Sequence, residues 1–96
     1  MVVTVTESTL DEEQLARVET FLEGFLPRMR QAPGVVEILH FADRESGVTS
    51  TLTVWESMAD ARAYRESELI KEPMAFEQRH GLSSRRAGPF EVRRFG

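Results

Sequence analysis

Residues Gly34–Ser57 read GVVEILHFADRESGVTSTLTVWES, and the fold follows from how that stretch is parsed. Val35–Asp43 and Val48–Glu56 are rich in β-branched and aromatic residues, which suit a pleated, half-buried surface, and the polar Arg44-Glu45-Ser46-Gly47 between them supplies turn chemistry. The stretch is predicted to form a β-hairpin, closed by a tryptophan and by a helix cap at Ser57. Successive strand side chains face opposite sides. Val36, Ile38, His40 and Ala42 therefore share one face of the first strand, and Val35, Glu37, Leu39, Phe41 and Asp43 the other. On the second strand Val48, Ser50, Leu52 and Val54 oppose Thr49, Thr51, Thr53 and Trp55. With Asp43 opposite Val48 across the turn, Leu39 pairs with Leu52 and His40 with Thr51. One hairpin surface is then greasy; the other carries Val36, Ile38, His40, Thr51, Thr53 and Trp55, a mixed lining that suits a core or a pocket.

Outward from the hairpin, Val2–Thr6 alternates apolar and β-branched residues and reads as a first strand. Thr9 with Glu12 has the spacing of a capping box, and Asp11, Glu12 and Glu13 place negative charge at a helix N-terminus. Leu15, Val18, Leu22, Phe25 and Met29 then form one apolar stripe, with Pro27 expected to kink or stop the helix. Ser57 with Asp60 makes a second capping pair, and Met58, Ala61 and Tyr64 follow on one face of a helix from about Met58. That helix is expected to continue through Ile70, to bend at Pro73 and to resume from Pro73 to His80, ending at Gly81. Ser83–Gly88 reads as a loop, and Pro89–Phe95 as an edge strand led by its proline. The order β-α-β-β-α-β folds most economically as an α+β ferredoxin-like sandwich, a four-stranded antiparallel sheet with two helices on one face. Since both hairpin faces carry large apolar side chains, the sheet's second face needs a cover, and a second copy is the simplest one. A homodimer through the sheet face is therefore expected.

The chain's 96 residues suffice for one core and one domain, spanning 1–96. A net charge of -4, with basic residues scattered apart from Arg85-Arg86 and Arg93-Arg94, argues against nucleic acid, whose phosphates need a concentrated basic face. With no cysteine there is no disulfide, thiolate metal site or cysteine nucleophile. His40 and His80 alone, without a paired acidic cluster, make no metal-ligand set. There is no glycine-rich phosphate loop and no G-x-S-x-G elbow. No apolar run approaches the ~20 residues of a membrane helix, and the start, MVVTVTE, lacks the pattern of a signal peptide, so a cytoplasmic location is expected.

Pro33-Gly34 before the hairpin, the strand ending Leu52-Thr53-Val54-Trp55-Glu56-Ser57 and the alanine-rich Ala59-Asp60-Ala61-Arg62-Ala63-Tyr64 together resemble the dimeric α/β-barrel superfamily. Within it, the chain is most similar to the branch related to antibiotic-biosynthesis monooxygenases. The resemblance covers nearly the whole chain in pattern, and its sharp part is the Trp-Glu-Ser helix start. It implies a homodimer with a pocket between sheet and helices. It also implies relatives that include cofactor-free oxygenases of polycyclic phenols, haem-degrading enzymes and proteins without a known activity. Members that oxidise quinol-like substrates or haem resemble one another in using an asparagine and a tryptophan, helped by a histidine or arginine. This chain has Trp55 and no asparagine at all. His80, beyond Pro73, is a poor equivalent of the second-helix histidine of the haem-degrading type, so haem is set aside and no cofactor is expected.

The candidate residues each carry two readings. Trp55 is a core anchor whose indole N–H finds an acceptor, or a wall that stacks on an aromatic ligand. His40 is a satisfied core or interface histidine, or a general base kept neutral because burial depresses its pKa. Thr51 and Thr53 suit a strand and would also offer hydroxyls beside His40, and Tyr64 packs or presents its hydroxyl to the same space. Arg85-Arg86 is a charged loop, or meets an anionic substrate at a pocket mouth. The expected function is a cofactor-independent monooxygenase acting on a small aromatic or polyketide-type metabolite, with His40 catalytic and Trp55, Thr51, Thr53 and Tyr64 binding the ligand. The alternative is a non-catalytic homodimeric module that binds a small ligand or serves structure alone.

Overall fold

The computed structural model describes all 96 residues. The hairpin forms as expected: β2 (Val35–Ala42) and β3 (Val48–Trp55) are antiparallel, with Leu39 opposite Leu52 and His40 opposite Thr51. Asp43 N–H donates to the Val48 carbonyl at 2.8 Å and closes the turn. Gly47, at φ +81, takes the left-handed conformation the turn needs, and its carbonyl accepts from Leu10 N–H at 2.9 Å. One detail departs from strict alternation. A bulge between Val35 and Glu37 inserts an extra residue, so Val35 packs against the core while Val36 is 42% exposed. Val36 therefore leaves the mixed face on which alternation alone had placed it.

The first strand, β1 (Val2–Thr9), is longer than expected because its ladder with β3 runs on to Thr9 opposite Val48. Thr9 is thus held in the sheet, and the cap of α1 (Glu12–Met29) falls to Asp11. The Asp11 carboxylate accepts from Gln14 N–H at 2.8 Å and the Gln14 side chain accepts from Asp11 N–H at 3.0 Å. Pro27 does not end α1; it lies in the last turn, where one missing N–H is a local loss. The second helical region splits into α2 (Met58–Arg65), capped by Ser57, and α3 (Lys71–Arg79). The expected continuation through Ile70 is absent, and Pro73 sits in the first turn of α3, where no intrahelical N–H bond is required. The last strand, β4, spans Arg85–Glu91 rather than Pro89–Phe95. The stretch read as a loop therefore begins a strand, whose Arg86 pairs with Thr6 and whose Ala87 pairs with Val5.

The sheet order is β2-β3-β1-β4, antiparallel throughout, with α1 crossing over β3 and α2–α3 over β1. This is the α+β ferredoxin-like architecture, with three helices where two were expected. Packing between layers is uneven. At one end Trp55 is fully buried within a cluster of Val2, Phe25, Met29 and Ala61. A cavity lies between the layers, and Phe25, Met29 and Ala61 of that cluster also border it. On the opposite side of the sheet Leu39, Phe41, Val48 and Phe90 are exposed.

Candidate active site

The cavity has a polar floor and an apolar roof. Its floor is the helix-facing side of the two central strands, and alternation makes that side a hydroxyl surface: Thr4, Thr6 and Ser8 from β1, and Thr49, Thr51 and Thr53 from β3. The roof is Val18, Phe21 and Leu22 of α1 with Phe76 of α3, the Phe21 and Phe76 rings stacked at 4.4 Å. Sheet residues beneath amphipathic helices are ordinarily apolar, because unpaired hydroxyls there are costly. Here four of the six hydroxyls have partners, Thr4 with Trp55 and Thr51 with His40 among them. Ser8 Oγ lies 2.8 Å from Ser84 Oγ, and Thr49 Oγ1 donates to the Gly47 carbonyl at 3.2 Å. The cavity volume is about 110 Å³, of the order that admits a single aromatic ring, since a dry cavity of ~150 Å³ takes benzene.

Strand register sets the order of functional groups across this floor. His40 lies opposite Thr51, Thr51 opposite Thr6 and Thr6 opposite Arg86. One row of polar residues thus crosses all four strands, and all four line the cavity. At strand spacings of about 4.8 Å the row runs roughly 14 Å from β2 to β4. His40 stands at one end. Its Nδ1 is 3.2 Å from Thr51 Oγ1, while Nε2 is buried without a hydrogen-bond partner. Burial lowers the imidazole pKa below 6.5, against the pull of Glu19 on α1, which raises it, and with the help of Arg44, which lowers it. The ring is therefore neutral near pH 7.

At the other end Arg86 forms a two-pronged pair with Glu77 of α3, Nη1 and Nη2 donating at 2.9 and 2.6 Å to the two carboxylate oxygens. That bond raises the guanidinium pKa further. Tyr64 of α2 also lines the cavity, and burial pushes its phenol up to about 12, against the opposing influence of Arg86, so it stays a hydroxyl.

His40, Thr51 and Thr53 line the sheet wall of the cavity, and Tyr64 joins its lining from α2. Trp55 stands behind that wall: its indole N–H donates to Thr4 Oγ1 at 3.0 Å and its ring lies 5.3 Å from Tyr64. The phenyl and phenol rings on the cavity lining belong to Phe21, Phe25, Phe76 and Tyr64. His80 sits apart at the end of α3, its ring 4.3 Å from Phe76. The Glu77–Arg86 pair was missed because it joins two elements that only the tertiary fold brings together. The hydroxyl floor had a signal, the same-parity Thr4-x-Thr6-x-Ser8 and Thr49-x-Thr51-x-Thr53 on two adjacent strands. No three histidine, cysteine or acidic side chains are close enough to share a metal ion, and no helix is long and apolar enough to cross a membrane.

The sequence model of the antibiotic biosynthesis monooxygenase family matches residues 1–75. The chain belongs to that family. Among curated proteins none matches the chain. Solved structures share the family fold at low identity. A mutant of SnoaB, a cofactor-independent oxygenase from Streptomyces nogalater, is similar at 20% identity over 98% of this chain and 94% of that one, with a TM-score of 0.78. A Deinococcus radiodurans protein matches at 14% identity over 100% and 99%, again with a TM-score of 0.78. PA3566 from Pseudomonas aeruginosa matches at 13% identity over 96% and 94%, with a TM-score of 0.73. The family's monooxygenase-like character rests on the sequence match, and the structural likenesses carry the fold.

Proposed function

We propose that the chain is a cofactor-independent monooxygenase whose cavity takes a small aromatic metabolite and whose base is His40. The observation that carries this reading is the buried, unpartnered Nε2 of a neutral imidazole on the cavity wall. Buried polar nitrogens are ordinarily paired; this one is unpaired and also shielded from the cavity, so a guest meets it only when the ring turns. With Nδ1–H donating to Thr51 Oγ1, Nε2 holds the lone pair and takes the proton of a phenol. The resulting anion, packed against Phe21, Phe76 and Tyr64, transfers electrons to dioxygen. A C–O bond forms at a ring carbon; the O–O bond then breaks, leaving one oxygen as a carbonyl. The other departs as water, with the phenolic hydrogen and the ring hydrogen. The substrate itself is the reductant, so the balance needs no further electron donor. The apolar roof excludes solvent from the anion and the peroxide, while Thr51, Thr53 and Tyr64 offer hydroxyls to the substrate oxygens. Trp55 supports the wall as its anchor.

We further propose that the active form is a homodimer joined through the exposed sheet face. His40→Ala is expected to abolish oxygen uptake with monocyclic phenols while leaving the dimer intact in size-exclusion chromatography. Unchanged uptake would remove His40 from the mechanism. The absence of asparagine favours a second reading, a module that binds the same guests without turning them over. Saturable quenching of Trp55 by phenols, with no oxygen uptake by the wild-type chain, would establish it.

A further inference from the structure

Two concavities meet at one ion pair. The cavity and an open depression outside α3, bordered by Lys71, Met74 and Gln78, share Glu77, Leu82, Ser84 and Arg86 as a common wall. Glu77 and Arg86 are 18% and 27% exposed there, and both lie beyond the residues matched by the family. Their bond is also a tie between α3 and the sheet. α3 has no buried residue and no side-chain cap at its N-terminus, and its stack through Phe76 and its contact through Glu72 both go to α1, at Phe21 and Arg28. A guest that occupies the cavity against this wall therefore meets the pair.

The charge at that point is already matched. Both Arg86 Nη groups are taken by Glu77, and releasing them to a carboxylated guest would leave the Glu77 carboxylate partly buried and unpaired, beside a second anion. Arg65, the other cation on the cavity lining, is exposed and donates to the Gly88 carbonyl at 2.9 Å, and His40 offers no positive charge at the far end. An uncharged planar guest meets none of these costs. Resting on the reading of the cavity as an aromatic-ligand site, we propose that Glu77 is a specificity-determining residue, a charge filter on the cavity wall that accepts uncharged aromatics and turns away carboxylated ones.

The single tryptophan supplies the readout, because Trp55 is buried 5.3 Å behind Tyr64 on the cavity wall. Two nitroaromatic quenchers of similar size, uncharged 4-nitrobenzyl alcohol and anionic 4-nitrobenzoate, are titrated against its fluorescence at low salt. In the wild type the alcohol is expected to quench about tenfold more strongly, a modest effect for one like-charge contact in a partly buried site. Glu77→Gln is expected to raise quenching by the benzoate to that of the alcohol while leaving the alcohol within about twofold. Glu77→Asp keeps the discrimination, and the double change Glu77→Gln with Arg86→Gln loses the benzoate's gain. Equal quenching by both probes in the wild type overturns the filter. So does quenching by neither probe, or a Glu77→Gln chain in which both rise together, the mark of a loosened helix. Oxygen uptake plays no part in this readout. Turnover absent with discrimination intact removes the oxygenase alone, and discrimination absent with turnover intact removes the filter alone.

Discussion

His40 occupies a position where burial and geometry act in the same direction. Desolvation disfavours the imidazolium, Arg44 adds to that, and Glu19 from α1 opposes it without prevailing. The consequence for pH is definite in sign. A histidine whose folded pKa lies below its unfolded value binds fewer protons in the folded state between those two values. Its contribution to stability is whole above about 6.5 and is lost as pH falls from there through the folded pKa. The wild-type chain is therefore expected to melt at a lower temperature at pH 5 than at pH 7, and His40→Gln to narrow that difference. The acid limb of kcat/KM with a phenolic substrate is expected below pH 6.5, because the base works while neutral. A limb at or above 6.5, or a melting difference the substitution leaves unchanged, would refute a depressed His40. The sequence singled out His40 as a candidate but not its setting. His40 and Thr51 face each other because of a register readable from the hairpin, whereas Arg86 at the far end of the same row depends on how β4 is laid against β1.

The strand-to-helix junction after Trp55 shows how one element prepares the next. Ser57 Oγ accepts from Asp60 N–H at 3.1 Å and donates to the Asp60 carboxylate at 2.8 Å, and Gly34, at the start of the hairpin, accepts from Glu56 N–H at 2.8 Å. Gly34 has φ +83, and a Cβ there would meet the Asp60 carboxyl carbon at 2.3 Å. Ser57→Ala is expected to cost about 1 kcal/mol through the lost cap. Gly34→Ala combines left-handed strain with displacement of Asp60 and is expected to cost about 2 to 3 kcal/mol. Because both act on one cap, the double variant should fall short of the sum by about 0.5 kcal/mol or more; strict additivity in urea unfolding would show that the two sites are independent. This cap was legible in Ser57-x-x-Asp60 because its signal is local. What was not legible was settled at a distance. Thr9 looked like a cap but its backbone is held by β3, the Val36 bulge answers to the crowding of Val35 into the core, and the polar Ser83–Gly88 stretch becomes strand where β1 offers an open edge.

The folded chain is a slab with extents of 35 × 34 × 20 Å, the thickness of one sheet and one helix layer. Its helix side is closed by α1, α2 and α3, and its other side presents Leu39, Phe41 and Phe90 at 48%, 54% and 52% exposure around half-buried Leu52 and Val54. Apolar side chains clustered in this way on a sheet face are suited to a self-complementary interface, in which two-fold symmetry sets every residue of the patch into the contact twice. In the proposed dimer, one substitution on the face therefore introduces two charges into the interface, each desolvated. Phe41→Asp is expected to raise the dimer dissociation constant by at least about a hundredfold, consistent with removing two aromatic anchors and burying two carboxylates. Met74→Asp, an equally exposed change on α3, is expected to leave it unchanged. Sedimentation at micromolar concentration distinguishes these outcomes, and a wild-type chain that sediments as a single subunit would refute the pairing. Because His40 and the hydroxyl floor lie on the opposite side of the sheet from Phe41, the Phe41→Asp monomer should still bind phenols at the cavity. A monomer that loses Trp55 quenching together with its partner would instead show that the two faces depend on each other through the four strands between them.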